Sequence, residues 1–118
     1  MPNSLIERHR VSKRMSQAAA YGDVVYLAGQ VVDDSTLGVA EQTRQVLVKI
    51  DDLLAEAGTD KSRALAATIW LADIATFDEM NSAWEAWVTP GGPPVRACVE
   101  SKLASPGCKV EIALIAAR

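Results

Sequence analysis

"KVEIALIAA", residues 109–117, closes the chain and decides its architecture. The stretch is half-polar at Lys109 and Glu111, then apolar on both faces. An inner strand of a sheet has that pattern, because neither of its faces stays wet. Just upstream stands "PPVRACVESK", residues 93–102. Two prolines halt what precedes them, and the chain then alternates with a period of two. Val95, Ala97 and Val99 fall on one face; Arg96, Cys98 and Glu100 fall on the other. The spacing predicts a strand over 95–103, joined through the tight "ASPGC" (104–108) to the closing strand. A hairpin there would set residue 103 opposite 108, 100 opposite 111 and 98 opposite 113. That register would put Glu111 beside Arg96, Cys98 and Glu100.

Working outward, "TPGGPP" (89–94) ends a helix whose apolar stripe is Phe77, Met80, Trp84, Trp87 and Val88. Thr76 and Glu79 have the spacing of a capping box at its start. Before it, "ALAATIWLADI" (64–74) reads as a largely buried strand. Residues 39–57 carry Val46, Leu47, Ile50, Leu53 and Leu54 at helical spacing, with Gly58 as the stop. "DVVYLAGQVV" (23–32) is a β-branched strand behind a Gly22-Asp23 turn, and 11–19 is its weakly patterned hairpin partner. The predicted order is β-β-α-β-α-β-β: an α+β domain, a mixed sheet with two helices on one face. The other face is too apolar around 112–115 to remain exposed, so an oligomer is expected.

A chain of 118 residues without repeats or linkers predicts a single domain over 1–118. Its net charge is −3 and its cations are scattered, so nucleic acid is not the expected partner. No run of 18 apolar residues occurs, and "MPNSLIERHR" is too charged for a signal peptide. A cytoplasmic location without membrane contact is expected. Two cysteines and one histidine supply neither a disulfide framework nor a zinc site, so no metal is expected. A Ser-His-Asp triad would have to use His9, near the N-terminus. Chemistry must therefore rest on carboxylates, arginine, a thiol, hydroxyls, backbone groups or water.

Arg96 offers a rigid fork that matches a small carboxylate, or else pairs with Glu100 or Asp73 at the surface. Glu111 can orient a water and pass a proton, or simply be the exposed start of a strand. Cys98 has no histidine near it and reads as pocket lining; a neighbouring guanidinium would lower its pKa. Cys108, in a turn beside Pro-Gly, reads as incidental. Asn81 sits early on the second helix, on the side expected to face away from Trp84, where an exposed asparagine is usual. Gly29, inside a strand pattern, marks a bulge or a close backbone approach. Trp70, Trp84 and Trp87 read as core or interface anchors.

"YLAGQV", "LLAEAG", "TFDEMN", "PPVRACVE" and "KVEIALIA", in that order, resemble the RidA/YjgF family over about residues 14–118. The resemblance implies a chorismate-mutase-like fold of the bacillus type, in a homotrimer with clefts between subunits. It implies hydrolysis of reactive 2-imino acids, tautomers of enamines, to 2-keto acids and ammonia, without a cofactor. It places the carboxylate-binding arginine on Arg96, the cysteine on Cys98 and the water-orienting glutamate on Glu111. The family's asparagine falls on Asn81 and its ligand-contacting glycine on Gly29. Two hydroxyls expected from the family are replaced here, by Ala28 and Met15. Their loss can weaken binding or change the substrate. Competing readings are a regulatory trimer that binds a small carboxylate without turnover, a ribonuclease or translation inhibitor, and chorismate mutase chemistry inferred from the fold alone.

Overall fold

The most apolar strands do take the middle of the sheet, but in an order that breaks the expected C-terminal hairpin. The computed structural model describes residues 5–118. Its strands are β1 (Glu7–His9), β2 (Ala18–Tyr21), β3 (Val24–Gln30), β4 (Ala64–Leu71), β5 (Val95–Glu100) and β6 (Val110–Ala117). They form one sheet in the order β1-β2-β3-β6-β4-β5. Helices α1 (Val39–Glu56) and α2 (Phe77–Trp87) cover one face of it. The architecture is the expected α+β arrangement, a mixed sheet with two helices on one side.

β6 is an inner strand, antiparallel to both β3 and β4. Val110, Ile112, Leu114 and Ala116 are buried beneath the helices, while the residues between them are half-buried on the open face. β5 does not pair with β6. It runs parallel to β4, with Ala67 opposite Arg96 and Trp70 opposite Val99. Parallel strands need a long crossover, and α2 supplies it. The expected register of 100 with 111 and 98 with 113 is thus corrected.

Gln42 accounts for the difference physically. Its side chain is fully buried and donates to Leu37 O (2.9 Å) and Gly107 O (3.1 Å), while Lys109 N donates to its Oε1 (2.8 Å). A buried amide that must satisfy its polar atoms draws the 101–109 loop onto α1 instead of letting it close a hairpin. The strand expected to reach residue 103 accordingly ends at Glu100. Cys108, expected to be an incidental turn residue, is buried in the core.

Other expectations change locally. The partner of β3 is Ala18–Tyr21, with β1 as a further strand outside it. A turn in which Ser12 N donates to Met15 O (2.8 Å) takes up the residues between. The capping box does not form: Thr76 Oγ1 donates to Asp73 O, and Asp73 caps a short 3-10 turn over 74–76. α1 stops as expected, with Gly58 at φ +85 and Thr59 N donating to Leu54 O. The open face of the sheet carries Tyr26, Val95 and Val99, each about half exposed or more. Among the described residues, no helix is long and apolar enough to cross a membrane.

Candidate functional site

Alternation along β5 is as the sequence predicts. Arg96 and Cys98 turn towards α2 and are half-buried, while Val95, Ala97 and Val99 face outward. The Arg96 guanidinium lies 5.6 Å from the ring centroids of both Phe77 and Trp84, and Nη1 donates to Asn81 Oδ1 at 2.6 Å. Residues 77, 81 and 84 share one helix face by their spacing of four and three. Asn81 therefore lies on the Trp84 side, which corrects the expectation that it faced away. The two rings and the amide form a cradle that fixes the fork, each cation–π contact contributing about 0.5–2 kcal/mol.

Phe77 and Trp84 were legible only as a core stripe. Their second role could have been found from their spacing around Asn81 had the parallel β4–α2–β5 crossover been recognised. Among the described residues Arg96 has no ion pair. Neither Glu100 nor Asp73 neutralises it: Glu100 Oε2 accepts from Ile74 N (3.0 Å), and Asp73 Oδ1 from Ala75 N (3.0 Å). The remaining guanidinium N–H groups are available to an anion. Burial pushes the Cys98 thiol above its ordinary pKa, and the opposing pull of Arg96 does not overcome it. This corrects the expected lowering and leaves Cys98 a thiol, not an activated nucleophile.

Gly29 and Glu111 form a second cluster. In the β3–β6 register Leu27 faces Leu114 and Gln30 faces Ile112, so Ala28 and Gly29 together span Ala113 as a bulge. A Cβ on Gly29 would fall on Glu111 Oε2 and lie 2.9 Å from Glu111 Cδ. Glycine is what admits the carboxylate there. Glu111 is half-buried, and its carboxylate makes no hydrogen bond or ion pair among the described residues. Trp70 stands directly opposite it on β4.

The two clusters do not meet within one chain. Glu111 shares the open face with Trp70 and Val99, whereas Arg96 and Cys98 lie on the helix side of β5, with β4 between them. A cavity of about 330 Å³ opens beside Gly29, and Met15 lines it. The position expected to have lost a hydroxyl is therefore a wall of this cavity, which neither Glu111 nor Arg96 lines. Among the described residues, no group of three or more His, Cys, Asp or Glu side chains converges as a metal site.

The sequence matches the family model described as Endoribonuclease L-PSP over residues 6–118. It is 48% identical over 113 residues to a RutC family protein of Haemophilus ducreyi, covering 96% of this chain and 97% of the other. It is 40% identical over 112 residues to the RutC family protein YoaB of Escherichia coli, covering 95% and 97%. A crystal structure of a YjgF-family member from Neisseria meningitidis superposes with a TM-score of 0.94 at 41% identity, covering 98% and 97%. Strand order, helix placement and these matches together identify a chorismate-mutase-like α+β fold, and the chain belongs to the RidA/YjgF family.

Proposed function

We propose that this protein hydrolyses small 2-imino acids to 2-keto acids and ammonia, at sites completed between copies of the chain. The observation that carries this reading is a pair of unmatched charges. Arg96 is held by a neutral amide and Glu111 by nothing among the described residues, and β4 keeps them apart. Two half-buried opposite charges without partners are costly unless a ligand and a second chain bring them together. The open face, with Tyr26, Val95 and Val99 exposed, offers the apolar surface for such assembly. The homotrimer implied by the family resemblance fits this requirement.

In the reaction, Arg96 of one copy binds the substrate carboxylate through two parallel hydrogen bonds, beside Cys98. Glu111 of the next copy takes a proton from a water whose oxygen attacks the imine carbon. The resulting carbinolamine expels ammonia as the proton passes to nitrogen, leaving the keto acid. Gly29 admits the carboxylate to this position and offers its backbone to the ligand. A protonated imine needs little activation, so positioning and modest acid–base assistance suffice.

Binding without turnover draws support from Ala28 and Met15, which replace two hydroxyls. Glu111→Gln separates the readings, because turnover should vanish while carboxylate binding persists. Ribonuclease activity, named by the family model, would need a cationic track for the phosphate backbone. The chain carries a net charge of −3, and Arg10, Arg44, Lys49 and Arg118 are already in ion pairs.

The direct test is release of ammonia and keto acid from freshly generated 2-iminopropionate and 2-iminobutyrate. Wild type should accelerate both. Arg96→Ala should lose about 3 kcal/mol of binding, roughly a hundredfold in kcat/KM. Rates equal to the spontaneous ones with wild type would remove the enzyme reading.

A further inference from the structure

The outer surfaces of α1 and α2 enclose a groove that the chemistry above does not use. Leu47, Ala83 and Trp87, all buried, form its floor, and the exposed Val48 and Ala86 form its lips. Its volume, about 280 Å³, falls just below the roughly 300–1,000 Å³ of drug-sized pockets and suits a body of one ring or one branched chain. Arg44 and Lys61 complete the lining, and among the described residues no acidic side chain joins them. We propose that this groove binds a small monocarboxylate with an aromatic or branched apolar body, at a site separate from Arg96.

The floor suits an apolar body. The indole N–H of Trp87 already donates to both carboxylate oxygens of Asp51 (3.1 and 3.2 Å), so no floor side chain has a polar atom left to satisfy. Covering that apolar surface is favourable, and a polar body there would find no partner. The rim suits an anion. Lys61 Nζ is held 5.4 Å from the centroid of the Trp87 ring and has no ion pair among the described residues. Its contact with the indole restrains the ammonium at the groove, so less freedom is lost when an anion arrives. Arg44 gives its Nε to Glu41 (2.9 Å), an exposed pair that leaves its terminal N–H groups free. A carboxylate at this rim meets two cations, whereas an amine meets like charge and a neutral amide gains little.

The groove is distinct from the Arg96 cradle. On α2, residues 77, 81 and 84 turn to Arg96, whereas 83, 86 and 87 line the groove beside α1. The nearest link is the packing of Trp87 on Trp84, with ring centroids 5.3 Å apart. The open face of the sheet, where copies meet in the reading above, lies on the far side of the sheet from both helices. Assembly through that face leaves the groove uncovered.

The test uses phenylacetate as the probe, with acetate for the charge alone and phenylacetamide for the body alone. The indole N–H resonance of Trp87, assigned by its absence from Trp87→Phe, reads occupancy of the groove. Phenylacetate should move it with a Kd on the order of a millimolar. Acetate and phenylacetamide should each bind about tenfold more weakly. Lys61→Gln should weaken phenylacetate about tenfold and Arg44→Gln should act in the same direction, whereas Arg96→Ala should leave the titration unchanged. Three results would overturn the proposal: a Trp87 resonance that phenylacetate does not move, one that phenylacetamide moves equally well, or one whose response is lost in Arg96→Ala and kept in Lys61→Gln. None of them depends on imine turnover, so the deaminase reading stands or falls separately.

Discussion

Glu111 occupies the space in which a side chain on residue 29 would begin. A Cβ there would lie 2.9 Å from Glu111 Cδ, yet the backbone of Gly29 is not left-handed, so the conformation suits any residue. Gly29→Ala therefore displaces only the flexible end of Glu111. Thermal unfolding should shift by less than about 1 kcal/mol, since alanine also suits a strand better than glycine. Imine turnover should fall about a hundredfold as the base leaves its position. Denaturation and steady-state rates on the same preparation check both halves of this expectation.

Asn81 tunes Arg96 by being neutral. Its Oδ1 takes one hydrogen bond from the guanidinium and adds no charge. Asn81→Asp keeps the shape and supplies an internal counter-ion, which competes with the substrate carboxylate. KM should rise about tenfold, with a smaller rise for Asn81→Ala, which merely loosens the fork. If the aspartate variant matched wild type in KM, Arg96 would not be the carboxylate clamp.

Val95 sits on the open face of edge strand β5 and is 73% exposed in the single chain. Val95→Asp should leave the chain fold intact, with an unchanged far-ultraviolet spectrum. Apolar contact between copies would be lost, and imine hydrolysis with it. Light scattering should report a fall in mass towards one chain. A single-chain species with full activity would contradict a shared site.

Cys98 is held as a thiol because desolvation of the thiolate outweighs attraction by Arg96. Its folded pKa is raised, so alkylation by iodoacetamide should be slower than that of a free thiol at neutral pH and climb as pH rises past the ordinary thiol range. Replacing Arg96 with Gln removes the opposing pull and should slow alkylation further at a given pH. By linkage, the same raised pKa makes stability fall as pH passes upward through the unfolded thiol pKa, because the unfolded chain ionises first.

The periodic elements of this fold were legible, as was the hairpin across Gly22-Asp23, but the pairing of β5 and β6 was not. Period-two alternation placed Arg96 and Cys98 on one face of β5, and helical spacing bounded α1 at Gly58. The chain cannot announce in a local pattern that a buried Gln42 will hold residues 107 and 109 against α1. Without that contact, a hairpin between β5 and β6 is the shorter connection, and it puts Glu111 on the wrong side of the sheet. The resemblance named Arg96 and Glu111 as one site; the sheet order shows them on opposite faces, β4 apart.

The most direct measurement mixes two variants. Arg96→Ala and Glu111→Gln subunits, each inactive towards 2-iminopropionate alone, are unfolded together and refolded at equal amounts. If each site draws Arg96 from one copy and Glu111 from another, about a quarter of the sites regain both residues by random association. Imine hydrolysis should then return to about a quarter of the wild-type rate. A mixed preparation that assembles like wild type and remains inactive would contradict a site shared between copies.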